Sequence, residues 1–139
     1  MTVKQISIFI ENKRGTMITV LESLKNADIQ IIASTVSDTV DYGIYRIICS
    51  DPEKAFAILK EKGLSVALAE VFAVELEDKP GMAADAVQTI AEAGININYL
   101  YSFLYKGKGI LIFRTDDTNK TVETISSAGL KPLTEASFC

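Results

Sequence analysis

Large apolar residues recur at every second position in two stretches of the chain. Ile6, Ile8 and Ile10 are separated by Ser7 and Phe9 and followed by Glu11; Phe72, Val74 and Leu76 are separated by Ala73 and Glu75 and followed by Glu77. Period-two alternation predicts strands with one buried face. A polar turn with glycine follows each strand, Asn12-Lys13-Arg14-Gly15 or Asp78-Lys79-Pro80-Gly81. The period then lengthens, and Val20, Leu21, Leu24 and Ala27, or Ala86, Val87, Ile90 and Ala93, share one helical face. Asp28 and Gly94 stand where a helix end takes a left-handed residue. A second strand opens at Ile29 or Ile95, and a hairpin near 41–43 or 106–109 turns it into a third strand over 44–49 or 110–115. Asp51 and Pro52 supply an N-cap and first-turn proline for a second helix that stops at Lys62-Gly63, and 117–129 repeats that pattern. Short final strands are expected near Ser65 and near Lys131.

The two series are one pattern written twice. Residues 4–64 match 70–130 at a constant offset of 66 with no gap and twelve identities, among them Glu11/Glu77, Lys13/Lys79, Gly15/Gly81, Asp51/Asp117, Lys54/Lys120 and Gly63/Gly129. Two copies of so long a period are too few for a stacked array, so each copy is read as a small domain. The order βαββαβ, twice, predicts an α+β protein of two ferredoxin-like domains over 1–69 and 70–139, with antiparallel sheets side by side and helices on one face. No Gly/Ser/Pro-rich linker separates the copies, because 65–77 is almost continuously strand-like, and the domains are expected to hold a fixed relation. At roughly 66 residues a lone copy is marginal, and packing against its twin would stabilise both.

Composition narrows the function. With 48% apolar residues and a mean hydropathy of +0.22, the chain reads as a well-cored globular protein. No apolar run approaches the roughly 20 residues of a membrane span, and the N-terminus lacks the features of a signal peptide, which together point to a cytoplasmic protein. A net charge of −4 and a pI near 4.8 argue against nucleic acid and anionic membrane as partners. Cys49 and Cys139 have no CxxC partner, and the chain contains no histidine, so no metal site and no thiol–imidazole chemistry is expected. No nucleophile elbow or phosphate-binding GxxxxGK[ST] occurs; no catalytic residue, no cofactor and no enzyme activity are expected.

Two features are decoys. The run 106–113, Lys-Gly-Lys-Gly-Ile-Leu-Ile-Phe, superficially matches the RNP1 motif of RNA-recognition domains, but Lys108 and Ile110 stand where stacking rings belong, and RNA binding stays a minor alternative. Tyr99, Tyr101, Phe103 and Tyr105 put four rings on one face of a strand, which is more often a packing surface, for the domain pair or for a homodimer, than a pocket lining.

A glycine between strand and helix can be only a hinge. It also sets a helix N-terminus beside a polar loop, a ready site for a carboxylate or phosphate. At this point Glu-Asn-Lys-Arg-Gly (11–15), Glu-Asp-Lys-Pro-Gly-Met-Ala (77–83) and Ala-Gly-Ile-Asn-Ile (93–97) resemble the signature of ACT domains, and nearly the whole chain resembles the bacterial proteins made of two tandem ACT domains. The resemblance implies pairing of domains through their second strands, with a free amino acid bound where the loop of one domain meets the second strand of the other. By position, the main site would join Asn12, Gly15, Thr16 and Met17 to Asn96, and a weaker mirror site would join Asp78, Gly81 and Met82 to Gln30. Asparagine offers a donor and an acceptor, which suits a zwitterion, whereas Asp78 would repel a ligand carboxylate. Arg14 replaces the proline that the family prefers before the loop glycine. The implied function is a small-molecule sensor that lacks its own output domain and acts on a separate enzyme, regulator or transporter. The alternative is a protein-interaction adaptor whose ligand sites have decayed.

Overall fold

Both alternating runs fold as strands, and both stretches of helical period fold as helices of eleven residues at matching positions, Thr16–Asn26 and Met82–Glu92. The structure is a computed structural model that describes residues 1–11, 14–38 and 41–138. Its elements are β1 (Val3–Glu11), α1 (Thr16–Asn26), β2 (Ile31–Asp38), β3 (Tyr42–Cys49), α2 (Pro52–Glu61), β4 (Ser65–Leu76), α3 (Met82–Glu92), β5 (Ile97–Tyr105), β6 (Lys108–Thr115), α4 (Thr118–Ala128) and β7 (Lys131–Pro132). A 3-10 turn over Glu135–Phe138 follows. The two βαββαβ series share one element: the last strand of the first repeat and the first strand of the second are the single twelve-residue strand β4.

The chain forms two compact units, one of Lys4–Ala69 with Phe138 and the other of Met1–Val3 with Glu70–Ser137. In the first, β3 pairs antiparallel with β1 and with β2, setting Ile6 against Ile47 and Val36 against Tyr45. Ile6, Ile8, Tyr45 and Ile47 on the sheet meet Val20 and Leu24 of α1 and Ala55 and Leu59 of α2 in one core. In the second unit, β6 pairs with β4 and β5, and Phe72, Val74, Leu111 and Phe113 meet Ala86, Ile90 and Ile125 at the equivalent places. Phe72 and Phe113 stack at 5.6 Å where the first unit has Ile6 and Ile47. Thus each unit is a sheet with two helices on one face, as the pattern predicts.

The identities that recur at offset 66 have local physical reasons. Asp51 and Asp117 cap α2 and α4 by accepting from the backbone N–H of Lys54 and Lys120, at 3.2 and 3.0 Å. The Lys54 side chain reaches across to donate to the carbonyl of Ala27 at the end of α1, where a cation also suits the helix dipole. Lys120 lies in the same place against Gly94 at the end of α3. Asp28 and Gly94 are left-handed, as expected, at φ 58 and 78°. The expected strand near Lys131 shrinks to two residues, because Pro132 brings no N–H; the Leu133 N–H donates to the Ala73 carbonyl before the chain turns away. Cys49 is a buried thiol, while Cys139 and part of the first hairpin lie outside the described residues.

Candidate functional site

The glycine turns end on helices of the same build. Gly15 and Gly81 are the N-caps of α1 and α3, both left-handed at φ 90 and 88°, and neither helix receives a side-chain cap. A non-glycine residue would be strained at this φ, although among the described residues no heavy atom beyond the chain neighbours lies within 4 Å of where a Cβ would stand at either position. Met17, in the first turn of α1, is 41% exposed, and the Thr19 hydroxyl closes that turn by donating to the Gly15 carbonyl at 3.0 Å. Asn12, the loop residue given the ligand-holding part, lies outside the described residues.

In the second unit Asp78 and Met82 line an open cleft of about 470 Å³ together with Glu75, Glu77, Lys108 and Lys131. Glu75 pairs with Lys108 at 3.2 Å. The first unit has at those positions Phe9 and Tyr42, whose rings stack at 4.5 Å. Beside Asp78, Glu77 and Lys79 form an exposed ion pair at 2.8 Å, and their hydrogen bond holds the Glu77 carboxyl below and the Lys79 ammonium above their ordinary ranges. Both signs of charge thus border one loop.

The strand-start residues sit elsewhere in each unit, since an eleven-residue helix of about 16 Å separates the glycine turn from the start of the next strand. Gln30 lines a shallow cleft of about 520 Å³ with Lys25, Asp28 and Ser50. Gln30 and Ser50 are joined through the backbone: the Gln30 N–H donates to the Ser50 hydroxyl at 3.0 Å and the Ser50 N–H to the Gln30 carbonyl at 2.9 Å. The start of β5 is different. The Asn96 and Asn98 amides donate to the two carboxylate oxygens of Asp116, at 3.3 and 2.8 Å, and these bonds, Asn98 foremost, hold the Asp116 carboxyl below the usual aspartate range. Asn98 reaches it from a bulge, since the β5–β6 register shifts between Ile97 and Tyr99, as β2–β3 does between Ile31 and Ala33. The sequence reading missed Asn98 and Asp116. Their signal was the repeat itself, because at offset 66 they replace Ile32 and Ser50.

The rings of Tyr99, Tyr101, Phe103 and Tyr105 are half-buried and face Arg114, Ile112, Ile110 and Lys108 across the β5–β6 ladder, as a packing surface should. Lys106 and Gly107, both at positive φ, form the hairpin turn within the RNP1-like run. Among the described residues no group of His, Cys, Asp and Glu could hold a metal ion, and no helix is long and apolar enough to cross a membrane.

Comparison with known proteins gives a consistent picture. The crystal structure of protein BT0572 from Bacteroides thetaiotaomicron matches with 32% identity and a TM-score of 0.91, over 96% of this chain and 92% of that one. The regulatory subunit of aspartate kinase from Thermus thermophilus, in its ligand-free form, is similar in fold, with 15% identity and a TM-score of 0.61 over 90% of this chain and 91% of that one. The structure of aspartokinase alpha and beta subunits gives 19% identity and a TM-score of 0.60 over 90% of each chain. The curated proteins give no match. The family model of the ACT domain pair matches residues 1–138, and the chain belongs to that family.

Proposed function

We propose that the protein is a sensor that binds a free α-amino acid and acts on a separate enzyme, regulator or transporter. ACT domain pairs are regulatory modules typical of amino-acid sensing. The observation that carries the reading is the pair of helix N-termini capped by left-handed glycines at Gly15 and Gly81, each suited to a ligand carboxylate. The residues proposed to hold the ligand are Asn12, Gly15, Thr16, Met17 and Asn96, with Gln30, Asp78, Gly81 and Met82 as a weaker second set. A cytoplasmic location belongs to the same proposal.

The test is a melting screen with the twenty amino acids, one at a time. An amino acid at about 100 times its Kd should stabilise the fold by roughly 2.7 kcal/mol. Asn96→Ala should then weaken binding of the active amino acid by about 10-fold or more in a calorimetric titration. Twenty flat results would hand the case to the adaptor reading. That reading has one observation in its favour: Leu100 and Leu104 are 46% and 64% exposed on β5, a strand hydrogen-bonded on one side only.

A further inference from the structure

We propose that Asp116 is the specificity residue for the ammonium group of the ligand, held at the start of β5 by a pair of amides that the start of β2 does not have; this rests on the amino-acid reading above. A carboxylate only accepts hydrogen bonds, so the amides of Asn96 and Asn98 must turn their NH2 groups toward Asp116. Their carbonyl oxygens are then left facing away from it. Beyond these bonds the cluster offers two amide oxygens, the second N–H of each amide and the remaining lone pairs of an ionised carboxylate, and all three residues are exposed. An ammonium group brings three donors and a positive charge, and it matches the oxygens of this set. A carboxylate or phosphate would find the second amide N–H groups but would meet the like charge of Asp116.

The first repeat is built differently. Gln30 and Ser50 bond through backbone groups, the place of Asn98 is taken by Ile32, and the anion at that end is Asp28, which lines one cleft with Gln30, Ser50 and the cation Lys25. The hydrogen bonds from Asn98 and Asn96, and after them the charge of Arg114 two residues back on β6, favour the ionised carboxylate before any ligand arrives. In this arrangement Asn96 owes its orientation to Asp116, and ammonium recognition is divided between an oriented amide and a fixed charge.

The rival explanation is a staple that merely pins the bulge of β5 to the loop after β6. Titration of the full chain separates the two, using each free L-amino acid that the melting screen returns and the 2-hydroxy acid with the same side chain, in which a hydroxyl replaces the ammonium. The variants are Asp116→Asn, which keeps a hydrogen-bonding group and removes the charge, and Asp116→Ser, which installs the residue of the first repeat. We expect both to lose about 10- to 100-fold in affinity for the amino acid and less than about 3-fold for the hydroxy acid. Equal losses for the two ligands, or unchanged affinity for the amino acid, would overturn the assignment and leave the sensor reading intact. If wild-type protein binds no amino acid at all, both fall together.

Discussion

Thr115 and Thr121 stand in the second repeat where Cys49 and Ala55 stand in the first, and their hydroxyls bond to each other at 2.8 Å inside the core. Thr121 also donates to the Asp117 carbonyl at 2.6 Å, tying the end of β6 to the cap of α4. The two hydroxyls are tolerated there because each has an acceptor: Thr121 gives its proton to the Asp117 carbonyl and accepts from Thr115, whose hydroxyl also reaches that carbonyl at 3.4 Å. Thr121→Val should therefore cost about 1 kcal/mol, since it removes the Thr121 bonds and leaves the Thr115 hydroxyl only its long bond to the Asp117 carbonyl, while Thr115→Cys with Thr121→Ala, which copies the first repeat, should cost less than that single change. Urea unfolding of the two variants makes the comparison, and a double variant weaker than Thr121→Val would show that the residues of the first repeat do not fit this core. The same matched exchange occurs at Phe72/Phe113 for Ile6/Ile47 and at Glu75/Lys108 for Phe9/Tyr42. No single position announces these exchanges, because each member makes sense only beside its partner across the sheet.

At the scale of elements, the turn glycines set where α1 and α3 begin. Gly81→Ala meets no steric obstacle and should cost only the strain of an L-residue at φ 88°, about 1–2 kcal/mol. Gly81→Asn should cost less, and thermal unfolding of the two variants gives the order; equal stability of Gly81→Ala and wild type would mean that the loop relaxes out of the left-handed region. Helix starts and stops were legible in the sequence because they rest on local chemistry: glycine turns, Asp51 with Pro52, Asp117, and left-handed Asp28 and Gly94. The Asn96–Asn98–Asp116 cluster was not legible in the same way. Its members lie 18 and 20 residues apart and meet only because a bulge in β5 offers Asn98 to the loop after β6. Sequence periodicity also could not foresee that β7 would stop after two residues, since that depends on one missing donor at Pro132.

At the scale of the molecule, the duplication and the two βαββαβ series could be read directly from the offset of 66, whereas the sharing of one strand between the repeats could be read only as the absence of a linker. A fragment of residues 1–69 severs β4 after its fifth residue and leaves a domain of marginal size. It should be far less stable than the intact chain, or self-associate, when followed by sedimentation and urea unfolding. A monomeric fragment that unfolds cooperatively with the stability of the whole would show that the repeats are independent.

Strand β4, running from Ser65 to Leu76 without a spacer, also fixes dosage. Repeats encoded separately would meet in proportions set by their expression. Here each translated chain delivers one Gly15 turn and one Gly81 turn, at any level of synthesis. Differences between the copies, such as Asn98 and Asp116 against Ile32 and Ser50, are thereby carried together in every molecule.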